Sequence, residues 1–129
     1  MKQFLLALVL VALPVTLFSG YELYPSRTAQ AASTGLGDLS TFKTIISDVQ
    51  GLAEKADMAG AAKRITDFET AWDQAETAIR PLDQTQWGNI DMATDGALKA
   101  VRAPQPQPDR VKSRLATLMA ELNDPSKAP

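Results

Sequence analysis

Residues 61–79 read AAKRITDFETAWDQAETAI, and this stretch decides the fold. Its apolar positions recur at spacings of four, three, four, three and four residues: Ala61, Ile65, Phe68, Trp72, Ala75 and Ile79. That spacing is typical of a helix that packs one apolar face lengthwise against other helices. Because such a helix needs partners to cover this face, the sequence predicts that neighbouring segments are helical too.

Capping residues indicate where the first two helices begin and end. Asp38 precedes an apolar repeat that predicts helix 1 over residues 39–56. Asp57 is expected to cap the central helix, which Pro81 should end at Arg80 because proline disfavours the helical conformation of the residue before it. At 1.5 Å per residue, the central helix would be on the order of 30 Å long.

Two further helices are predicted after the central one. Asp83, followed by Gln86 three positions later, resembles a capping box for helix 3. Residues 103–108 (APQPQP) cannot be helical, since alternate prolines favour an extended spacer. Asp109 is then expected to cap helix 4. Short connections favour antiparallel neighbours, so we predict an all-α, antiparallel up-down four-helix bundle.

Residues 1–31 have the pattern of a signal peptide. Lys2 provides the positive start, residues 4–18 are uncharged and largely apolar, and residues 29–31 (AQA) form a small-x-small cleavage site. The alternative is an uncleaved anchor, although the apolar run is shorter than the roughly 20 residues that span a bilayer comfortably. The sequence therefore predicts cleavage before Ala32 and a periplasmic or secreted protein. If the segment is not cleaved, it predicts an inner-membrane anchored protein with membrane contact only through residues 4–18.

The remaining sequence divides into three parts. We expect residues 32–37 to be a flexible lead, residues 38–124 to form the helical bundle with the Pro/Gln spacer inside it, and residues 125–129 to be a frayed tail.

Composition excludes most familiar catalytic chemistry. The chain of 129 residues contains no His and no Cys, so it offers neither an imidazole base nor a thiolate, and it lacks the usual protein ligands of zinc and haem. Its 13 basic and 15 acidic residues give a net charge of −2, which provides no general attraction to nucleic acid. We predict a protein that is not an enzyme and has no cofactor.

A group of carboxylates on helices 2 and 3 is the candidate metal site: Glu69, Asp73, Glu76, Asp91 and Asp95. Their helical spacing places them on facing surfaces, and oxygen ligands suit a hard divalent cation. The interpretation we favour is a solvated face with pairs such as Asp95 with Lys99.

Aromatic and apolar residues of the same two helices are a candidate ligand pocket: Phe68, Trp72, Trp87, Ile90 and Met92. Counting back from the turn places Trp72 opposite Met92. Because both tryptophans fall on the apolar stripes of their helices, we favour a role in the bundle core.

Three cations open helix 4, namely Arg110, Lys112 and Arg114. A helix N-terminus disfavours positive charge. We therefore expect this basic turn to lie against the acidic surfaces of helices 2 and 3.

A longer pattern links the two central helices. Trp72-Asp73-x-Ala75-Glu76, then Pro81-Leu82, then Trp87-x-x-Ile90-Asp91-x-x-x-Asp95-x-x-Leu98 and Arg102 is similar to a pattern in small exported helical bacterial proteins. The resemblance covers about thirty residues. It implies export and a helix 2 to helix 3 hairpin, and it implies no catalytic residue.

Three functional hypotheses follow. The first is a non-enzymatic exported binding or accessory module for a protein or envelope component, which predicts an exposed apolar patch of a few hundred Å². The second is a periplasmic cation or small-ligand binder that uses the carboxylates. The third is an extracytoplasmic sensor domain on the uncleaved anchor. Heptad-like seams also allow a homodimer.

Overall fold

The computed structural model describes residues 35–125, which form four α-helices and no strand. They are α1 (Ser40–Glu54), α2 (Met58–Ile79), α3 (Gln84–Val101) and α4 (Pro108–Asn123). All four belong to one compact unit, residues 32–129, and none is long and apolar enough to cross a membrane. The all-α prediction is confirmed for this part of the chain. The predicted signal peptide, the start of the lead and the end of the tail lie outside the described residues.

The helices form a closed ring in which each packs against two neighbours: α1 on α2, α2 on α3, α3 on α4, and α4 back on α1. Arg64, near the start of α2, pairs with Asp48 in the second half of α1 at 2.9 Å. Asn89, near the start of α3, donates to the carbonyl of Pro125 just after α4, at 2.8 Å. Both contacts join an early residue of one helix to a late residue of its neighbour, so these pairs run antiparallel.

The contact between α2 and α3 is also antiparallel. Arg102, directly after α3, donates to the carboxylate of Glu69 and to the hydroxyl of Thr66 in the first half of α2. At the other end of the pair, the Arg80 guanidinium lies 5.0 Å from the ring centre of Trp87. The most extensive packing joins α1 to α2 and α3 to α4, so the bundle is two helical hairpins placed side by side.

The apolar repeat of residues 61–79 lies in the core as predicted. Ala61, Ile65 and Phe68 are fully buried and Trp72 is 1 % exposed, while the last two positions of the repeat are partly buried against the core. The apolar residues of α4 are also fully buried: Val111, Leu115, Leu118 and Leu122. Period-3.6 spacing therefore identified the buried faces of both helices.

Two ends of the bundle are more ordered than the sequence predicted. Leu36, which we placed in a flexible lead, is 2 % exposed and belongs to the core. Pro125, assigned to the frayed tail, is buried and accepts the hydrogen bond of Asn89. An isolated apolar side chain next to glycines carries no periodic signal, which is why spacing could not reveal Leu36.

Two of the predicted caps are confirmed. The carboxylate of Asp57 accepts the Gly60 N–H at 2.8 Å, and that of Asp83 accepts the Gln86 N–H at 3.0 Å. Such a bond satisfies one of the amide groups left without a partner at a helix start. The side-chain oxygen Oε1 of Gln86 is buried without a hydrogen-bond partner, so the capping box is formed in one direction only.

The predicted start of helix 4 was wrong. The helix begins at Pro108, and Gln107 is its N-cap without a side-chain bond, so Asp109 lies inside the first turn. Proline suits the first helical position because its fixed φ is already helical and its missing N–H would have no partner there. In α1, Asp38 accepts the Ser40 N–H at 2.9 Å from one residue outside the N-cap, Leu39.

The turn between α1 and α2 requires a left-handed residue, and the chain places alanine there. Ala56 has φ 58°, while Asp57 N–H donates to Leu52 C=O and Ala56 N–H donates to Ala53 C=O. This is a Schellman motif, whose left-handed position usually holds glycine. We predict that Ala56→Gly raises the free energy of unfolding by about 0.5–1 kcal/mol, measured by urea denaturation.

The control for that prediction is Ala120→Gly, at an exposed position inside α4. It should lower the free energy of unfolding by roughly 1 kcal/mol, because glycine is disfavoured in a regular helix. Equal signs for the two variants would contradict the role assigned to Ala56.

Two helical glycines are expected to respond in opposite directions to alanine. A Cβ at Gly88 would meet no atom within 4 Å, so Gly88→Ala should stabilise the protein by about 1 kcal/mol. A Cβ at Gly60 would collide with the Asp57 carboxylate, so Gly60→Ala should break the N-cap and destabilise by about 1 kcal/mol. Thermal unfolding checks both, since 1 kcal/mol shifts the Tm of a domain this size by roughly 4–8 °C. Two shifts in the same direction would contradict this account.

Candidate functional site

The two tryptophans meet on the α2–α3 side of the bundle, but they fill the space between them. Their rings stack at 5.8 Å with an interplanar angle of 11°, and Trp72 stacks in turn on Phe68 at 6.1 Å. Arg80 covers the outer face of Trp87. A continuous stack of flat groups therefore runs from the core to the surface at the α2–α3 turn.

The remaining predicted pocket residues do not join these rings around a cavity. Ile90 is fully buried in the core, whereas Met92 points outward and is 60 % exposed. The indole N–H of Trp72 donates to the Asp91 carboxylate at 3.3 Å. Trp72 and Ile90 are therefore core residues, Trp87 is packed against the core, and Met92 is a surface residue. The positions of the tryptophans agree with the packing role that we favoured.

Asp91 is the predicted carboxylate whose pKa is raised. Burial raises its pKa, the hydrogen bond from Trp72 lowers it, and the nearby charges of Asp95, Glu76 and Asp73 raise it further. The negative charges of Asp95, Glu76 and Asp73 are therefore close enough to Asp91 to disfavour its ionised form. A divalent cation or a proton would relieve this repulsion.

The geometry of a metal site is nevertheless not formed. Among residues 35–125, no three acidic side chains are grouped so that they could hold a metal ion. Two members of the predicted set have basic partners instead: Glu69 binds Arg102, which lowers the pKa of that carboxyl, and Glu76 binds Arg80 at 2.8 Å. These two residues are members of surface ion pairs.

Exposed apolar surface is scarce in the part of the chain that the structure describes. The large hydrophobic side chains that stand out are Leu82, 61 % exposed on the α2–α3 turn, and Met92 on α3. Met92 lies eight residues into α3, or about 12 Å along the helix axis from its start. These two residues do not make the contiguous apolar patch that the first hypothesis predicted.

A group of cations at the end of α3 and the start of α4 forms a basic surface. We define it as Lys99 near the end of α3 and Arg110, Lys112 and Arg114 in the first turns of α4; all four are exposed. Within residues 35–125 none of them makes an ion pair, whereas Arg64, Arg80 and Arg102 each bind a carboxylate.

The expected pairing of the basic turn with the acidic surfaces of helices 2 and 3 was therefore wrong. The aliphatic part of Arg114 instead passes over Gly96 on α3, where a Cβ would lie 3.5 Å from its Cδ. The sequence showed that these cations lie at the start of helix 4. It could not show which neighbouring helix they face, since that depends on how α4 is rotated about its own axis.

Two small grooves flank the N-terminal half of α4. The spacer groove, of about 160 Å³, lies between the end of α3 and the Pro/Gln spacer and is lined by Lys99, Ala100, Ala103, Gln105, Gln107 and Arg110. The α1–α4 groove, of about 200 Å³, is lined by Gln50, Ala53, Glu54, Lys112, Leu115 and Ala116. The spacer groove combines two cations and two amide side chains with apolar surface, and the α1–α4 groove has an apolar floor. Each is bordered by a cation of the basic surface.

Comparisons of the chain with protein-family models, with curated proteins and with solved structures find no match.

Proposed function

We propose that this chain is an exported, non-enzymatic helical module that binds a partner through its basic surface. The observation that supports this is the set of four exposed cations without a carboxylate partner in residues 35–125. Three of them occupy the first turns of α4, where the helix dipole opposes positive charge. Asp109 supplies one negative charge in the same first turn against these three positive ones, and local rules broken in this way are expected at functional sites.

The shortage of exposed apolar surface changes how the module would bind. Leu82 and Met92 are too isolated to form a docking patch, so charge rather than apolar area would select the partner. Such contacts are individually weak and salt-dependent, and they favour fast, reversible association.

Export is the second part of the proposal, and it rests on the sequence of residues 1–31. Mass spectrometry of the protein recovered from the cell envelope tests it: a mature N-terminus at Ala32 is expected. An intact N-terminus with the protein in the membrane fraction would favour the sensor alternative, and an intact N-terminus in the cytosol would overturn export.

Site-specific crosslinking in cells tests the binding role. A photo-reactive amino acid is placed at Ser113, on the exposed side of α4 near the basic surface, and at Thr77, an exposed control position near the far end of α2. We expect a discrete crosslinked product from Ser113 and none from Thr77. Equal products from both positions, or none from either, would overturn the assignment.

The cation-binding alternative is tested by thermal unfolding with and without Ca²⁺, Mg²⁺ and Mn²⁺. A cation bound at Asp73 and Asp91 would raise the Tm, and Asp73→Asn with Asp91→Asn would abolish that rise. Since no three carboxylates are grouped for a metal in residues 35–125, we expect no metal-dependent rise.

A further inference from the structure

We infer that the occupant of the basic surface is an acidic polypeptide segment that carries an aliphatic side chain. This inference rests on the proposed function, because it assumes that the basic surface is the docking site. It adds the chemistry of the partner, which follows from the charges, from the shapes of the two grooves, and from what the surface lacks.

The charges call for an anionic partner. Lys99 and Arg110 both line the spacer groove, together with the amide side chains of Gln105 and Gln107. A cavity of this size exceeds the roughly 30 Å³ share of a water molecule several-fold, so it has room for a carboxylate group. Two cations and two amide donors are suitable partners for carboxylate oxygens.

The α1–α4 groove would accept an apolar side chain of the same partner. Its floor contains Ala53 and Leu115, which belong to the core, and the exposed Ala116 lies at its edge. Lys112 and Glu54 also border it, so a positive and a negative charge both stand next to the apolar floor. The floor accepts a leucine-sized side chain, and Lys112 offers a partner for a carboxylate of the same segment.

The two grooves together favour a polypeptide over a single small anion. Arg110 borders one groove and Lys112 the other; because residues two positions apart on a helix point roughly 200° apart, the two grooves lie on opposite sides of α4. A chain crossing the start of α4 would reach both grooves with different side chains. A free phosphate or carboxylate would occupy only one of the two grooves.

A membrane surface is a poorer occupant. Amphipathic surfaces that bind lipid combine cations with large apolar side chains that enter the interface. In the described part of the chain, the exposed large hydrophobics are Leu82 and Met92. Leu82 lies at the α2–α3 turn, the opposite end of α3 from Lys99, and neither residue belongs to the basic surface.

Fluorescence anisotropy with the full protein as recovered from cells tests the inference. The probe is a fluorescein-labelled peptide of four glutamates flanking a central leucine, at about 50 mM salt, where charge interactions reach beyond 10 Å. Two further peptides replace the glutamates by glutamines or the leucine by serine. We expect binding of the acidic leucine peptide, about tenfold weaker binding of the serine peptide, and none of the glutamine peptide.

Matched variants locate the site. Arg110→Gln with Lys112→Gln should weaken binding at least tenfold, while Lys43→Gln with Lys63→Gln, which removes the same charge elsewhere, should change it less than about twofold. Ala116→Phe fills the α1–α4 groove from an exposed position and should abolish the preference for leucine over serine. Equal losses from both double variants would overturn the site.

Other occupants are outcomes of the same experiment. Binding to phosphatidylglycerol vesicles as tight as to the acidic peptide would overturn the inference in favour of a lipid surface. Displacement of the peptide by low millimolar phosphate would reduce it to a general anion site. A crosslink from Ser113 without binding of the acidic peptide would overturn the inferred acidic partner and leave the proposed docking surface in place. Absence of both the crosslink and the peptide binding would overturn the docking surface as well as the inferred partner.

Discussion

Replacing Trp72 by alanine is expected to lower the free energy of unfolding by about 3–5 kcal/mol, the largest effect of any single substitution considered. The side chain is 1 % exposed and is packed among aromatic rings on three sides. Phe42 meets it edge-on at 5.2 Å, and Phe68 and Trp87 stack on its two faces. Because small domains have a total stability of only about 5–15 kcal/mol, the variant should lie close to unfolding under ordinary conditions.

The physical reason is that Trp72 joins the two helical hairpins. It lies on α2, contacts α1 through Phe42, and contacts α3 through both Trp87 and Asp91. Truncation would leave a cavity, remove the aromatic cover of Trp87, and deprive the partly buried Asp91 of its hydrogen-bond donor. The loss therefore combines packing with the stranding of a carboxylate.

Two companion variants separate these contributions. Trp72→Phe keeps an aromatic side chain and loses the indole N–H, so we expect a smaller decrease of about 1–2 kcal/mol. Leu82→Ala changes an exposed apolar residue near the same turn and should shift the stability by less than about 0.5 kcal/mol. Urea denaturation followed by far-ultraviolet circular dichroism measures all three. A Trp72→Ala variant as stable as Leu82→Ala would refute the role of the aromatic stack.

The sequence was sufficient to predict the buried faces, and the reason is visible in α4. Its four apolar residues step by four, three and four, and all four are fully buried. A periodic pattern of this kind has only one helical interpretation that hides every member. The caps Asp57 and Asp83 were predictable for a similar reason, since their hydrogen bonds are made to residues three positions away.

Features that depend on competition or on distant contacts were not predictable. At the start of α4, Asp109 as a cap competed with Pro108 as the first helical residue, and proline won because its ring fixes φ. The left-handed conformation of Ala56 carries no sequence signal, because glycine is the residue that normally marks it. Counting residues from the turn placed Trp72 opposite Met92, but the ring of Trp72 stacks on Trp87, and Met92 is exposed.

The candidate site was only half predictable. Sequence showed that cations open helix 4, and it noted that this is unfavourable. Whether a carboxylate of another helix pairs with one of these cations depends on the distance between them in the folded protein. That distance differs between one arginine and another. Arg102 reaches Glu69 on α2, whereas Arg114 lies along Gly96 on α3 and makes no ion pair with any residue of 35–125.

Glu121 is the second residue for which we expect a large effect, and its position between Leu118 and Leu122 gave no warning of it. The side chain is 5 % exposed, and its Oε2 atom has no hydrogen-bond partner. Burial raises the pKa of this carboxyl above its ordinary value of 4.5, and the nearby charge of Asp124 raises it further. Glu121 also lies in the last turn of α4, where the helix dipole disfavours negative charge.

The direction of the pH effect follows from this raised pKa. In the folded protein the carboxyl holds its proton to higher pH than in the unfolded chain, so the unfolded state loses the proton first as pH rises above about 4.5. The free energy of unfolding should therefore fall through this range and level off once the folded carboxyl is ionised. Below the unfolded pKa the carboxyl is neutral in both states, and the penalty is absent.

Glu121→Gln removes the charge while it keeps the shape of the side chain. We expect this variant to be more stable than the natural chain by about 1–2 kcal/mol at pH 7. The gain should shrink toward zero below pH of roughly 4, where both side chains are neutral. The exposed Glu54→Gln is the matched control, with an expected change below about 0.5 kcal/mol. Urea denaturation at a series of pH values decides the matter: a gain that is the same at every pH would show that volume or hydrogen bonding, rather than the buried charge, sets the stability at this position.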